Sequence, residues 1–396
     1  MPPQRPLKIV RIIGRLNVGG PARQACLLHE RLRPEFETIL ISGRPDKGEE
    51  DMSYLLASGE VHWVDSMSRP VRILSDLCSL IAIYRILRRE RPDIVHTHTA
   101  KAGTLGRVAA ILARVPARIH TFHGHVFAGY FGRFKTWMYL TIERTLARFT
   151  TRIVTVSDGQ ATELADKYRV AVKSKIQVIR NGFDWKDSSR SREELRAELG
   201  IKPGQLAVLW AGRMVPIKGI DLLADVVKSA AQNGSLQFLV AGDGPERPRF
   251  EQLVQGCNNI RMLGWQRDVG PLLKASDVVL LTSVNEGTPT SLIEAMFAAK
   301  PFVATDAGGT RDLAIGLNNK DGLIGQAQNG FIVERDAETM MTCLAKLVAD
   351  PGLRETMGRG GQSHAVRNWG SQRLVNEIKQ LYYDLTASAK SRTQAV

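Results

Sequence analysis

The 396-residue chain is short of several things, and each shortage excludes something. Its four cysteines (Cys26, Cys78, Cys257, Cys343) are scattered, with no CxxC pair. That argues against a zinc ribbon or a disulfide framework and suits a reducing compartment. No apolar run approaches the ~18 residues of a spanning helix. Residues 1–6 are polar and proline-rich, and 8–13 is too short for the apolar core of a leader, so no signal peptide is expected. There is no Asp-x-Asp pair, no GxGxxG and no short-period repeat. Acid is scarce in the first half. Residues 1–182 hold 29 Lys and Arg against 16 Asp and Glu, whereas the remainder holds 25 against 24. Nearly all of the net charge of +14 therefore sits in the first half. A basic half implies an anionic partner such as a membrane surface, a nucleic acid or a phosphorylated substrate. With 43% hydrophobic and 24% charged residues, the rest reads as a soluble globular protein of two or three domains.

The pattern along the chain is an alternation. Strand-like runs at 8–13, 37–41, 61–64, 94–97, 118–121, 152–156 and 176–179 are separated by helix-period stretches at 21–32, 73–89, 102–113, 134–149 and 159–167. Asn181-Gly182 breaks the pattern with a turn signal, and 184–191 is polar and linker-like. The alternation then restarts. Strands fit 206–210, 237–241, 259–263, 278–281, 302–305 and 331–333; helices fit 220–232, 246–255, 291–299, 337–349 and 371–388. Strands alternating with helices predict parallel, doubly wound sheets. The expected class is α/β, with two Rossmann-like domains, 1–182 and 183–371, facing across a cleft. In such sheets ligands bind at the carboxyl ends of the strands.

Unusual residues gather at those ends. Gly19 and Gly20 follow the first strand and open a helix, where free amides and the helix dipole favour an anion. Residues 211–219 carry Arg213 and Lys218 on one loop, two cations able to neutralise a diphosphate, or else a solvated loop. Gly242 and Gly244 suit a tight turn on the same crevice. The strongest signal is 286–294. Thr288 is placed to cap a helix with Pro289 at its first position, so that the amides of Thr290 and Ser291 face an anion. Glu286 precedes that helix and Glu294 lies inside it. Two carboxylates bracketing a phosphate site can hydrogen-bond polyols on either side of a diphosphate; a structural buried pair is the plainer alternative. Histidines crowd the first half at His96, His98, His120, His123 and His125, with no carboxylate or cysteine at metal-ligand spacing.

Glu-x7-Glu, the Gly-Arg-x4-Lys-Gly loop, the Asn-Gly-x-Asp break and the N-terminal Gly-Gly turn together resemble the retaining GT-B glycosyltransferases of family 4, over nearly the whole chain. The resemblance implies that Glu286 contacts the donor sugar, Glu294 the nucleotide ribose, and Arg213 and Lys218 the diphosphate. It places the nucleobase near 264–267 and one histidine near the donor sugar; His123, in Thr121-Phe122-His123-Gly124, matches best, with His125 the competitor. It also implies that a C-terminal helix at about 372–388 packs back on the first domain. Two departures stand out. Gly20-Pro21-Ala22-Arg23 lacks the glutamate that many relatives carry there, and Asp312 replaces a frequent glutamate. Segments 101–107 and 123–131 resemble the branch acting on lipid-linked cell-envelope sugars. Segment 126–149 interleaves Phe127, Tyr130, Phe131, Phe134, Trp137 and Tyr139 with Arg133, Lys135, Arg144 and Arg148, a mix suited to an anionic membrane interface.

The expected function is a retaining, metal-independent glycosyltransferase with no cofactor beyond its UDP-linked nucleotide-sugar co-substrate. It is expected to act on a glycan or lipid-linked acceptor, with no nucleic-acid partner, in the cytoplasm at the membrane's inner face. The rival readings are an NAD-dependent oxidoreductase, disfavoured by the missing GxGxxG, and a nucleic-acid-binding protein, which leaves Glu286 and Glu294 unexplained.

Overall fold

The structure, a computed structural model, describes residues 5–17, 19–46, 49–57, 60–68, 70–124, 127, 132–231, 234–319 and 324–394, the side chains of Asn319 and of residues beyond 387 excepted. Val18, His125, Val126, Tyr130 and Phe131 lie outside the described residues. The chain divides into two units, Met1–Phe183 with Ser371–Val396, and Asp184–Gly370.

The first unit is a seven-stranded parallel sheet of β1 (Lys8–Arg15), β2 (Glu37–Gly43), β3 (His62–Trp63), β4 (Ile94–His98), β5 (Ala117–Phe122), β6 (Arg152–Thr155) and β7 (Ile176–Val178). Its order is β3-β2-β1-β4-β5-β6-β7, so the winding reverses between β1 and β4. The crossovers are α1 (Gly20–Leu32), α2 (Ile73–Glu90), α3 (Ala100–Leu112), α4 (Arg133–Phe149) and α5 (Asp158–Thr162). Because both faces are covered, the strands read as continuous apolar runs. The last helix, α13 (Ser371–Gln394), belongs here. Leu374, Ile378, Leu381 and Tyr382 share a core with Ile9, Ile94, Ile119 and Val154.

The second unit opens with α6 (Arg192–Glu198). It holds β8 (Leu206–Ala211), α7 (Ile220–Ala230), β9 (Leu236–Ala241), α8 (Arg247–Leu253), β10 (Ile260–Gly264), α9 (Gly270–Ala275), β11 (Val278–Leu281), α10 (Thr290–Phe297) and β12 (Phe302–Thr305). Then come β13 (Asn318–Asn319), β14 (Ile324–Ala327), β15 (Gly330–Val333), α11 (Ala337–Ala349) and α12 (Pro351–Trp369). The order β10-β9-β8-β11-β12-β15-β14-β13 reverses between β8 and β11.

Both sheets are doubly wound, as the alternation predicts. Three helices and one hairpin were not legible. β13 and β14 pair antiparallel and put an antiparallel edge on an otherwise parallel sheet. The 19-residue α12 contains Gly352, Gly358, Gly360 and Gly361, which blur its periodicity. Tertiary contact forms it: Gly358 lies where a Cβ would come within 2.2 Å of the Ala299 carbonyl oxygen, so only glycine lets the helix approach α10. The short α6 and α9 span two turns or fewer, too little for a helical period to emerge.

Candidate functional site

At the carboxyl end of the second sheet, four loops are stitched together. After β8, the Lys218 carbonyl accepts from Thr282 Oγ1 (2.9 Å) and the Ile217 carbonyl from the Val284 amide (2.8 Å). Gly219 has φ +65°, and the Thr282 carbonyl oxygen sits 2.1 Å from where its Cβ would be. The Gly242 amide donates to the Gly264 carbonyl (2.7 Å), while the Gly212 carbonyl fills the space of a Gly242 side chain. The turn at Gly242 thus holds the loops after β8, β9 and β10 in register.

This frame brings Lys218 and Glu286 together. Lys218 Nζ lies 2.6 Å from Glu286 Oε1, with the two side chains 22% and 12% exposed. Ser283 Oγ donates to the same oxygen at 2.6 Å. With Oε1 so occupied, Oε2 is left to accept from a ligand hydroxyl. The sequence points this cation to a diphosphate and this carboxylate to a polyol; the geometry adds that each is oriented by the other. Arg213, on the same loop, is exposed, and no ion pair ties it to another described residue.

The helix that follows begins one residue later than expected. Its N-cap is Pro289, and Thr288 does not cap it. Proline lacks an N–H but its carbonyl is free, and here it accepts from Leu292 (3.2 Å) and Ile293 (3.4 Å). Thr290 and Ser291 are the first two helical residues, whose amides have no acceptor within a helix. Thr288 Oγ1 is buried with no hydrogen-bond partner. A desolvated hydroxyl without a partner costs about 1–3 kcal/mol, so it is a group in want of a ligand. Glu294 is half-buried on the fifth residue of α10, about 6 Å along the axis from Thr290.

Sequence reasoning missed what supports this loop. Gly308 has φ +55°, and a Cβ there would lie 2.3 Å from the Glu286 carbonyl oxygen and 2.5 Å from Asn285 Oδ1. The Gly309 amide donates to that same carbonyl at 2.9 Å. The contact of Gly308 and Gly309 with Glu286 depends on β11 and β12 being neighbours in the sheet. Ser283 carried no signal at all.

The first sheet's carboxyl end differs. Gly19 caps α1, and Gly20 is its first residue, followed by Pro21. Beside that turn Arg15 contacts Asp46 and Glu49 (2.6 Å), and Asn17 donates to Glu49 at 3.1 Å. Deeper, His96, His98 and His120 are buried on β4 and β5, and His123 follows directly after β5. Burial pushes the pKa of each imidazole down, to about 3 for His123; the Arg11 guanidinium adds to the effect on His96, His98 and His123, and that of Arg107 on His120. His96, His98 and His120 each have ring-nitrogen partners in one network. Among the described residues, no three His, Cys, Asp or Glu side chains lie together as a metal-binding group.

The aromatic–basic segment divides. Phe127 is buried against Tyr168, with ring centroids 5.2 Å apart, and Tyr139 joins the same core. Arg144 is spent on the Tyr168 carbonyl (2.7 Å). Phe134 and Trp137, 75% and 61% exposed, remain outward with Arg133, Lys135 and Arg148. A buried Arg107–Glu143 pair at 2.7 Å pins α4 to α3. On the other flank of α3, α2 presents Ile73, Leu74, Leu77 and Ile81 to solvent. No described helix is long and apolar enough to cross a membrane.

Two doubly wound units with polar groups gathered at their switch points define the GT-B class. The crystal structure of Anabaena HepE in complex with UDP shares this fold, with a TM-score of 0.76 over 96% of this chain and 100% of that chain at 22% identity. Residues 18–186 match the family model described as Glycosyltransferase Family 4, and residues 205–350 the one described as Glycosyl transferases group 1. The chain belongs to the family 4 glycosyltransferases and is a glycosyltransferase. It is 29% identical to the Escherichia coli UDP-Gal:alpha-D-GlcNAc-diphosphoundecaprenol alpha-1,3-galactosyltransferase, over 85% of this chain and 86% of that protein. It is 25% identical to the Staphylococcus aureus capsular polysaccharide biosynthesis glycosyltransferase CapM, over 82% of this chain and 85% of that protein.

Proposed function

We propose that this glycosyltransferase moves a sugar from a UDP-linked donor to a glycan or lipid-linked acceptor in cell-envelope polysaccharide synthesis, with retention at the anomeric carbon. The observation that carries the reading is the Lys218–Glu286–Ser283 cluster beside the free amides of α10. As the anomeric bond breaks, negative charge grows on the departing diphosphate and positive charge on the sugar. Lys218, Arg213 and the Thr290 and Ser291 amides supply fixed positive potential for the first, so no metal clamp is required of the mechanism. Glu286 holds the sugar through Oε2, and Glu294 the ribose. Thr288 Oγ1, Gly242 and the 211–219 loop line the phosphate path. His123 is assigned to the donor sugar, and the Gly19-Gly20 turn to the acceptor side. Attack comes from the face the leaving group departs, with its phosphate oxygen taking the acceptor's proton. No cofactor takes part.

The donor and acceptor classes rest on what the two curated relatives are named for. Association with the cytoplasmic face of the membrane is supported by the basic first half and by the outward aromatics of α4. The apolar edge of α2, which the sequence reading passed over, supports it too.

The test is turnover over a panel of nucleotide sugars, with a polyprenyl-diphosphate sugar as acceptor and excess EDTA present. A UDP-sugar consumed under EDTA, with an α-linked product from an α-linked donor, is the expected result. Inversion, or a complete loss restored only by magnesium or manganese, would overturn the mechanism.

A further inference from the structure

Arg11 occupies the middle of β1 with 1% of its surface exposed, and among the described residues no carboxylate pairs with it. Its charge is held by rings. Nη2 donates to Tyr382 Oη on α13 (3.1 Å), and Nη1 donates to His98 Nε2 (3.1 Å), with His96 Nδ1 at 3.4 Å. A guanidinium can only donate. His98 Nε2 must therefore be bare, and the ring's single proton is on Nδ1. That nitrogen is 2.9 Å from His123 Nε2. The same rule applies again: His123 Nε2 accepts, so its proton is on Nδ1. His123 Nδ1 is buried and has no hydrogen-bond partner. The remaining contacts agree. Tyr382 Oη lies 2.8 Å from His96 Nδ1 and can donate to it, leaving His96 Nε2–H for Thr121 Oγ1 at 2.7 Å.

We infer that Arg11, acting through His98, locks His123 as a neutral imidazole that presents its Nδ1–H to a ligand oxygen. Arg11 and His98 are positioning residues; neither needs to touch substrate. The chain begins at a charge that never titrates, so its direction cannot reverse with pH. The groups facing the two rings are Arg11 from β1, His96 from β4, His120 from β5 and Tyr382 from α13, all cationic or neutral. A proton added to His98 or His123 meets the guanidinium's repulsion and loses an acceptor the network needs. A sugar hydroxyl at His123 then finds a donor of fixed polarity throughout the neutral range. This last step rests on the assignment of His123 to the donor sugar.

The experiment is long-range 1H–15N correlation NMR on the full chain labelled at histidine, with rings assigned through His98→Gln and His123→Gln. In the unaltered protein both rings should show the Nδ1–H tautomer and no titration from about pH 5.5 to 8. Arg11→Met removes the charge and the donor at similar length, so nothing then fixes His98 Nε2 as an acceptor. Burial still holds both rings neutral, and the spectrum should show the Nδ1–H tautomer of His98 and His123 giving way to a mixture, with turnover falling at every pH. Arg11→Lys keeps a cationic donor and should keep the Nδ1–H tautomers. His123 carrying its proton on Nε2, or titrating near pH 6.5 in the unaltered chain, overturns the inference even if Arg11→Met does not fold. If the tautomers are as stated but His123→Gln leaves turnover unchanged, the lock stands and the donor-sugar assignment falls.

Discussion

At the carboxyl end of the first sheet, four histidines, a tyrosine and an arginine are packed together, all but His123 fully out of solvent. At the same end of the second sheet, the charges stand on loops, Arg213 exposed and Lys218 and Glu286 largely buried against each other and Ser283. The two units share a winding pattern, yet one has been filled with neutral rings around a single cation and the other keeps its charges on loops. Charge that is to meet a developing anion works best when set in place before the ligand arrives, as the contacts on Glu286 set Lys218. A group that only orients a hydroxyl works better neutral and rigid. Seven of the eight histidines fall in the first unit, and the polar work of the second is done by Lys, Arg, Glu and backbone amides.

The largest way to sharpen this contrast is acid. His29 and His123 are held down to about 4 and about 3, and His96, His98 and His120 well below the ordinary value, all chiefly by burial. Folded-state pKa values lie below the unfolded value of about 6.5, so the unfolded chain takes up protons that the folded chain refuses. Stability is complete above about pH 7 and is lost as pH falls toward 4 and 3, at about 1.4 kcal/mol per pH unit for each ring. Hydrogen exchange corrected for intrinsic rate should show β4 and β5 losing several kcal/mol of protection between pH 7 and 5, with β8 and β11 nearly constant. Parallel loss in both units would erase the contrast.

Next in size is Lys218→Ala. Removing a cation that acts on leaving-group charge should lower kcat by about 10² or more, and Arg213→Ala should follow it. Steady-state kinetics with the native donor checks both, and near-normal turnover in the two variants breaks the assignment. Smaller is Gly308→Ala. Its φ of +55° and the 2.3 Å approach to the Glu286 carbonyl mean that a methyl group must push the 285–287 loop aside. Turnover should fall about tenfold, the size of a displaced positioning group, with a loss of about 1–3 kcal/mol in thermal stability. Gly308→Ala with unchanged kinetics would show that the Glu286 loop does not depend on β12.

Much of this contrast was legible before any coordinates. Every strand of the first sheet and six of eight in the second stand in the sequence as bounded apolar runs, because parallel strands buried on both faces need no alternation. The positions of Arg213, Lys218 and Glu286 on loops after strands, and of Glu294 within the following helix, were legible. What was not legible depends on neighbours distant in sequence. Thr288 looked like a cap, but Pro289 took that place because its carbonyl, not a side chain, closes the first turn. Arg144 and Phe127 looked outward and are used by Tyr168. Arg11 drew no notice in an apolar strand, since nothing in KIVRIIGR reveals that two histidines and a tyrosine from two other elements surround its guanidinium.

The smallest expected effect concerns the outer surface of the first unit. Replacing Arg133, Lys135 and Arg148 with glutamine should weaken sedimentation with anionic vesicles, each basic residue near such a surface contributing about 1 kcal/mol. Phe134→Ser with Trp137→Ser should remove the part that survives high salt. The same number of changes in the second unit should do little. Equal binding to neutral and anionic vesicles, or none at low salt, would favour a soluble acceptor.

The central claim is that the second unit divides its labour, Glu294 on the nucleoside and Lys218 with Glu286 on the reacting end. Calorimetric titration of UDP into Glu286→Gln and Glu294→Gln, beside turnover of each, tests it most directly. The account predicts that Glu286→Gln binds UDP nearly as the unaltered protein does while losing most turnover, and that Glu294→Gln weakens UDP itself. Equal weakening of UDP by both variants would contradict it.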